Sequence, residues 1–138
     1  MTANDSFSID IALRHPSCTR ERISKALSIK PRASHRGGSK IENRPKSWTH
    51  FFATLQKGDC PDDYENALNR AVLFIEKNAA FWPDFIGGQG EVELILNHTL
   101  LEERARGDLC LRLHLRPDFL RRLSALGIGL RIQGWNRA

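Results

Sequence analysis

The segment LCLRLHLRPDFLRRLSALGIGL, residues 109 to 130, holds the spacing that decides the fold. Leu109, Leu111, Leu113 and Leu115 alternate with Cys110, Arg112 and His114, the period of two expected of a half-buried strand. Pro117 then suits a first helical position and Asp118 the positive end of a helix dipole. Phe119, Leu120, Leu123 and Leu126 follow as an apolar stripe at helical spacing. Gly127 ends the helix, and Ile128, Leu130 and Ile132 alternate with Gly129, Arg131 and Gln133 in a last strand. A strand, a helix and a strand in succession predict a parallel crossover, which would be right-handed.

Upstream, FSIDIAL alternates Phe7, Ile9, Ile11 and Leu13 with Ser8, Asp10 and Ala12, so a half-buried strand is expected there. After Pro16, Ser17 or Thr19 can cap a short helix carrying Ile23, Ala26 and Leu27, which stops before Pro31. Residues 30 to 46 are rich in Gly, Pro and cations and read as a mobile basic loop with room for one brief strand. SWTHFFATLQ has the aromatic and β-branched content of a strand, with faces that do not separate cleanly. The helix signal at 60 to 82 is the clearest: Asp62 and Glu65 make a capping-box pattern, and Tyr64, Leu68, Ala71, Val72 and Ile75 make the stripe. FWPDFIGGQG reads as a turn whose aromatics cover one end of the core, EVELILN alternates as a strand, and TLLEERARGD reads as a hairpin-like return. Together these segments predict a single α+β domain over 1–138. Its expected architecture is a mostly antiparallel sheet of five or six strands with three helices on one face, ferredoxin-like in style.

A chain of 138 residues can bury roughly two thirds of its unfolded surface without staples. Cys18, Cys60 and Cys110 are odd in number and far apart, as expected of reduced thiols. No basic leader followed by an apolar run opens the sequence, and no apolar run reaches membrane-spanning length. A cytoplasmic protein without membrane insertion is therefore expected. The net charge of +5 is unevenly spread. Ten Lys/Arg oppose two acids between Arg14 and Lys46, three oppose ten between Ser47 and Glu103, and eight oppose two from Arg104 onward. Two basic ends brought together would attract phosphates or an acidic partner; kept apart, they are a solvated surface.

If the leucine faces pack on helices, the other face looks outward with Ser8, Asp10, Arg112, His114, Arg131 and Gln133. Asp10, Arg112, His114, Arg131 and Gln133 are the candidate ligand site, with Asp10 set among cations; the plain alternative is a wet sheet face with ordinary cross-strand pairs. The basic loop supplies Arg32, His35, Arg36, Lys40, Arg44 and Lys46, interleaved with Gly, Ser and Pro. That composition suits phosphate contacts better than base stacking. Cys110 and His114 would lie about 13 Å apart on a strand, too far to share an ion, and His35, His50 and His98 stand in separate segments without ligand spacing. No metal and no other cofactor is expected. The sequence has no nucleophile elbow and no phosphate-binding loop, and RGG and GGQG read as turns. Cys18, near a helix start, is either a thiol of lowered pKa or an inert small residue.

RISKALSIKP near the start, a Trp opening a strand at Trp48, and LHLRPDFLRRLSALGIGLRIQGW at the end resemble the bacterial family called domain of unknown function 4279 (DUF4279). The resemblance spans most of the chain. Ser28, Ile29, Lys30 and Pro31 stand where that family has a Gly-Ile-x-Pro-like turn, and Arg131 and Gln133 stand where its last strand usually carries acids. The resemblance implies an α+β fold and no particular activity. The expectation is a non-catalytic binding module that recognises an acidic protein or an anionic ligand through the outer sheet face and the basic loop. The alternatives are a nonspecific nucleic-acid binder, an immunity-type toxin inhibitor, or an enzyme with converging titratable groups.

Overall fold

The computed structural model describes residues 6–32, 48–58, 63–101 and 115–137. Four strands and four helices follow one another as β1 (Ser6–His15), α1 (Arg20–Leu27), β2 (Thr49–Gly58), α2 (Tyr64–Lys77), α3 (Phe81–Gly87), β3 (Glu91–Leu101), α4 (Pro117–Ala125) and β4 (Gly129–Arg137). The strands form one sheet in the order β2-β1-β3-β4. β1 is antiparallel to both β2 and β3, and β4 runs parallel to β3.

The class is therefore α+β, as the residue pattern predicts, and the detail differs. The sheet is mixed, and its described part has four strands where five or six were expected. The described residues hold four helices where three were expected, and the order β2-β1-β3-β4 with β1 and β3 antiparallel is not ferredoxin-like. The expected strand at 109–115 falls outside the described residues apart from Leu115 just before α4, and so does the hairpin-like return apart from 99–101, which extend β3 to Leu101. Of the basic loop only residues 30–32 are described, and none of them is in a strand. β4 does run parallel to a neighbour, but that neighbour is β3; the expected crossover from a strand at 109–115 has its first strand outside the described residues.

The extra helix is α3, in the stretch that reads as a turn. Pro83 is the third residue of this helix, in the first turn, where a missing N–H costs nothing. Trp82 and Phe85 are buried, and the Trp82 indole N–H donates to the Ile75 carbonyl at 2.7 Å, tying α3 to the end of α2. The aromatics thus close one end of the core, as their clustering predicts.

Caps follow local chemistry. The Thr19 hydroxyl accepts from Arg22 N at the start of α1, and Ser28 closes that helix in a left-handed conformation with φ 57°. α2 begins after Asp63, which makes no side-chain cap; the expected capping box of Asp62 and Glu65 has Asp62 outside the described residues. Gly127, with φ 75°, lets the chain leave α4 and enter β4.

Ile9, Ile11 and Leu13 of β1, Phe51 and Ala53 of β2, and Leu94 and Leu96 of β3 point to one side. Ile23 and Leu27, the stripe of α2, Trp82 and Phe85, and Phe119 and Leu123 meet them in a single core. The stripe predicted for β4 is only partly covered. Ile132 lies opposite buried Leu96 and is still 47% exposed, because β4 is the outermost strand of the described sheet. Across the helix layer Arg122 of α4 grips Glu76 of α2 with two hydrogen bonds of 2.7 and 2.6 Å; the contact holds the Glu76 carboxyl below its ordinary pKa and the guanidinium above its own.

The corner from α3 into β3 is tight. Gly90 N donates to the Phe85 carbonyl at 3.0 Å, and a β-carbon on Gly90 would stand 2.5 Å from that same oxygen. Gly90→Ala is expected to lower stability by about 2 kcal/mol, because the obstacles are the Phe85 carbonyl and the buried Phe85 ring, at 2.5 and 2.6 Å, rather than the free end of a flexible side chain. A urea denaturation midpoint equal to that of the wild type would show that the corner relaxes freely.

Candidate functional site

The face of the sheet opposite the core carries the polar alternates, and the registers bring them together. Ser8 and Asp10 of β1 lie opposite Lys57 and Thr54 of β2 on one side and Asn97 and Ile95 of β3 on the other. Between Ile9 and Asp10 the β1–β2 register slips, since Ile9 pairs with Gln56 and Asp10 with Thr54. Leu55 is the extra residue of this β-bulge. A slip of one residue exchanges the faces of everything beyond it, so Lys57 turns to the outer side beside Ser8 while Gln56 turns inward. Gln56 Oε1 accordingly accepts from Arg70 Nε of α2 at 2.9 Å.

Asp10 has no exposed surface. Its carboxylate accepts from the Thr54 hydroxyl at 2.8 Å, from the Ser8 hydroxyl at 3.1 Å and from the Asn97 side-chain amide. Three donors on two oxygens meet the requirement that a buried charge be hydrogen-bonded. Asp10 was expected among cations; its partners are instead two hydroxyls and an amide. Arg131 pairs with Glu93 at 3.1 Å and donates from Nε to the same carboxylate at 3.3 Å. Arg14 also approaches Glu93, at 3.6 Å, so Glu93 lies between two guanidinium groups and draws Arg131 to itself. Gln133 is half-buried and lies opposite Asn97 in the register. Arg112 and His114 fall outside the described residues.

Next to Asp10 the outer surface opens into a depression of about 630 Å³ lined by Ser8, Arg32, Thr54, Leu55, Gln56 and Lys57. Arg32 belongs to the basic loop and is held in place twice. Its backbone N donates to the Phe52 carbonyl at 2.7 Å, and its guanidinium carbon lies 5.4 Å from the centre of the Phe52 ring. His35, Arg36, Lys40, Arg44 and Lys46, the rest of that loop's candidates, lie outside the described residues. Lys57, Thr54 and Leu55 were not among the sequence candidates. The bulge that sets them in place leaves no mark in the alternation of β2.

Two further histidines are buried. His15 Nδ1 accepts from the backbone N of Ser17 at 3.0 Å and of Cys18 at 2.8 Å, which locks the turn from β1 into α1. Its pKa is held below the ordinary 6.5, first by burial and then by the nearby Arg22 charge, against an opposing hydrogen bond to the Phe85 carbonyl. His98 packs against the Tyr64 ring, with centroids 4.9 Å apart; burial lowers the His98 pKa and raises that of Tyr64. Tyr64 in turn meets Phe7 edge-on at 5.2 Å, so this cluster serves as packing at one end of the core. Among the described residues no group of three His, Cys, Asp or Glu side chains is placed to hold a metal ion. No described helix is long and apolar enough to cross a membrane.

Comparison with protein-family models, with curated proteins and with solved structures finds no match to this chain.

Both buried histidines tie stability to pH in one direction. Each is depressed in the folded state, so the unfolded chain takes up its protons first. Stability is therefore complete above the unfolded value near 6.5 and is lost as pH falls below it, until the folded histidines themselves protonate. His15→Gln is expected to flatten part of this loss, read as urea midpoints at pH 7.5 and 5.5, with His98 carrying the remainder. Equal slopes for variant and wild type would remove His15 from the account.

Proposed function

We propose that this protein is a non-catalytic binding module whose outer sheet face takes a small anionic ligand in the depression beside Asp10. The observation that carries this reading is the meeting of Arg32, from the basic loop, and Lys57, turned outward by the bulge, at one concave site. Two cations from separate parts of the chain favour a negatively charged group between them. The volume of about 630 Å³ fits a ligand of small-molecule size better than a protein surface. Arg32 is the one basic-loop candidate within the described residues, and it lines this site, so the loop and the sheet face act as one surface in this reading. The site does not need Arg131, whose charge is met by Glu93. Kinship with domain of unknown function 4279 forms part of the same proposal. Its support is the left-handed Ser28, a conformation that suits the glycine of that family's turn.

The test is calorimetric titration with n-propyl phosphate. The wild type is expected to bind, and Arg32→Ala and Lys57→Ala are each expected to weaken binding about tenfold, the equivalent of one charge-assisted hydrogen bond. Binding that ignores both substitutions would place the anion elsewhere and end this reading.

A further inference from the structure

We infer that the ligand carries hydroxyl groups as well as a negative charge, as a phosphorylated sugar or polyol does. This rests on the anion reading above and follows from where the hydroxyl protons of the site are directed. Ser8 and Thr54 both line the depression, and both give their single O–H to the Asp10 carboxylate, at 3.1 and 2.8 Å. An ionised carboxylate accepts only, and a hydroxyl has one proton to give. With that proton committed inward, Ser8 and Thr54 offer the depression lone pairs alone.

The wall therefore has two kinds of polar group with fixed roles. Arg32 and Lys57 donate and are cationic; Ser8 and Thr54 accept and are neutral. Gln56 gives the wall no further acceptor, since its side-chain oxygen accepts from Arg70 on the α2 side; its amide N–H groups are donors, like the cations. A bare anion would satisfy the cations and leave two acceptors facing its own lone pairs. A ligand with an anionic group and neighbouring O–H donors satisfies all four. Asp10, wholly buried beneath the two hydroxyls, sets their direction without touching the ligand, and so is a positioning residue.

The experiment compares glycerol 3-phosphate with n-propyl phosphate, which have the same chain length and charge and differ by two hydroxyls. The wild type is expected to bind glycerol 3-phosphate about tenfold tighter, the worth of one to two net hydrogen bonds. Asp10→Asn puts an N–H donor against one of the two hydroxyls and so turns that hydroxyl's proton out into the depression. Thr54→Val deletes one acceptor and leaves the buried carboxylate charge in place. Each is expected to bring the ratio of the two affinities toward one while n-propyl phosphate still binds, which also reports that the variant is folded. Should Asp10→Asn fail to fold, Thr54→Val carries the test. Equal affinities in the wild type, or a preference that survives both substitutions, would overturn this inference and leave the anion site standing. Failure of both phosphates to bind the wild type would overturn the anion reading and this inference with it.

Discussion

A carboxylate with no contact with water sits in the middle of this sheet, and three neighbours hold it there. Asp10 belongs to the central strand, Thr54 to one flanking strand and Asn97 to the other, while Ser8 is two residues away on its own strand. Leaving any of these lone pairs bare in the interior would cost free energy that a domain of this size can scarcely spare. The registers of both antiparallel pairings are thus bound to one side chain. The apolar alternation on the opposite face agrees with them, since Ile9, Ile11 and Leu13 reach the core only in this same register. Polar and apolar faces of β1 select the same pairing, the kind of agreement between levels that gives a single native structure.

Most of the elements could be read from residue spacing because their causes are local. The stripe of α2, the threonine before α1, the proline and glycine that bracket α4, and the alternation of β1 and β3 each depend on residues a few positions apart. The site was less legible. Asp10 announces itself as a polar residue on an outer face, but its two cross-strand partners lie 44 and 87 residues away and are neutral; charge pattern pointed instead to Arg131. Lys57 reaches the outer face only because Leu55 is passed over in the pairing, and a bulge of this kind is set by what the partner strand requires. α3 was hidden by Pro83 and the glycines after it, which mark a turn in most settings and here start and end one short helix around a buried Trp82. Ile132 looks like a core residue by its period, and its exposure follows from strand order, which no local pattern contains.

Among the described residues Arg14, Arg131 and Arg32 of the outer face divide into two groups. Arg14 and Arg131 converge on Glu93 and neutralise a stretch of the β1–β3–β4 surface. Arg32 lies over an aromatic ring, and among the described residues no carboxylate pairs with it. Among the described residues this division separates arginines whose charge is met within the sheet from one that leaves positive potential beside the depression.

The place of β1 at the centre of the sheet also bears on how the chain comes off the ribosome. The strand is made first, yet Asn97, 87 residues later, is the last of the three groups that close around Asp10. Until β3 emerges, β1 can pair only with β2, and one edge of the future middle strand stays open with a carboxylate on it. A carboxylate in mid-strand, with Arg14 near its end, is the kind of feature that disfavours the joining of such an open edge to other nascent chains before its proper neighbour arrives.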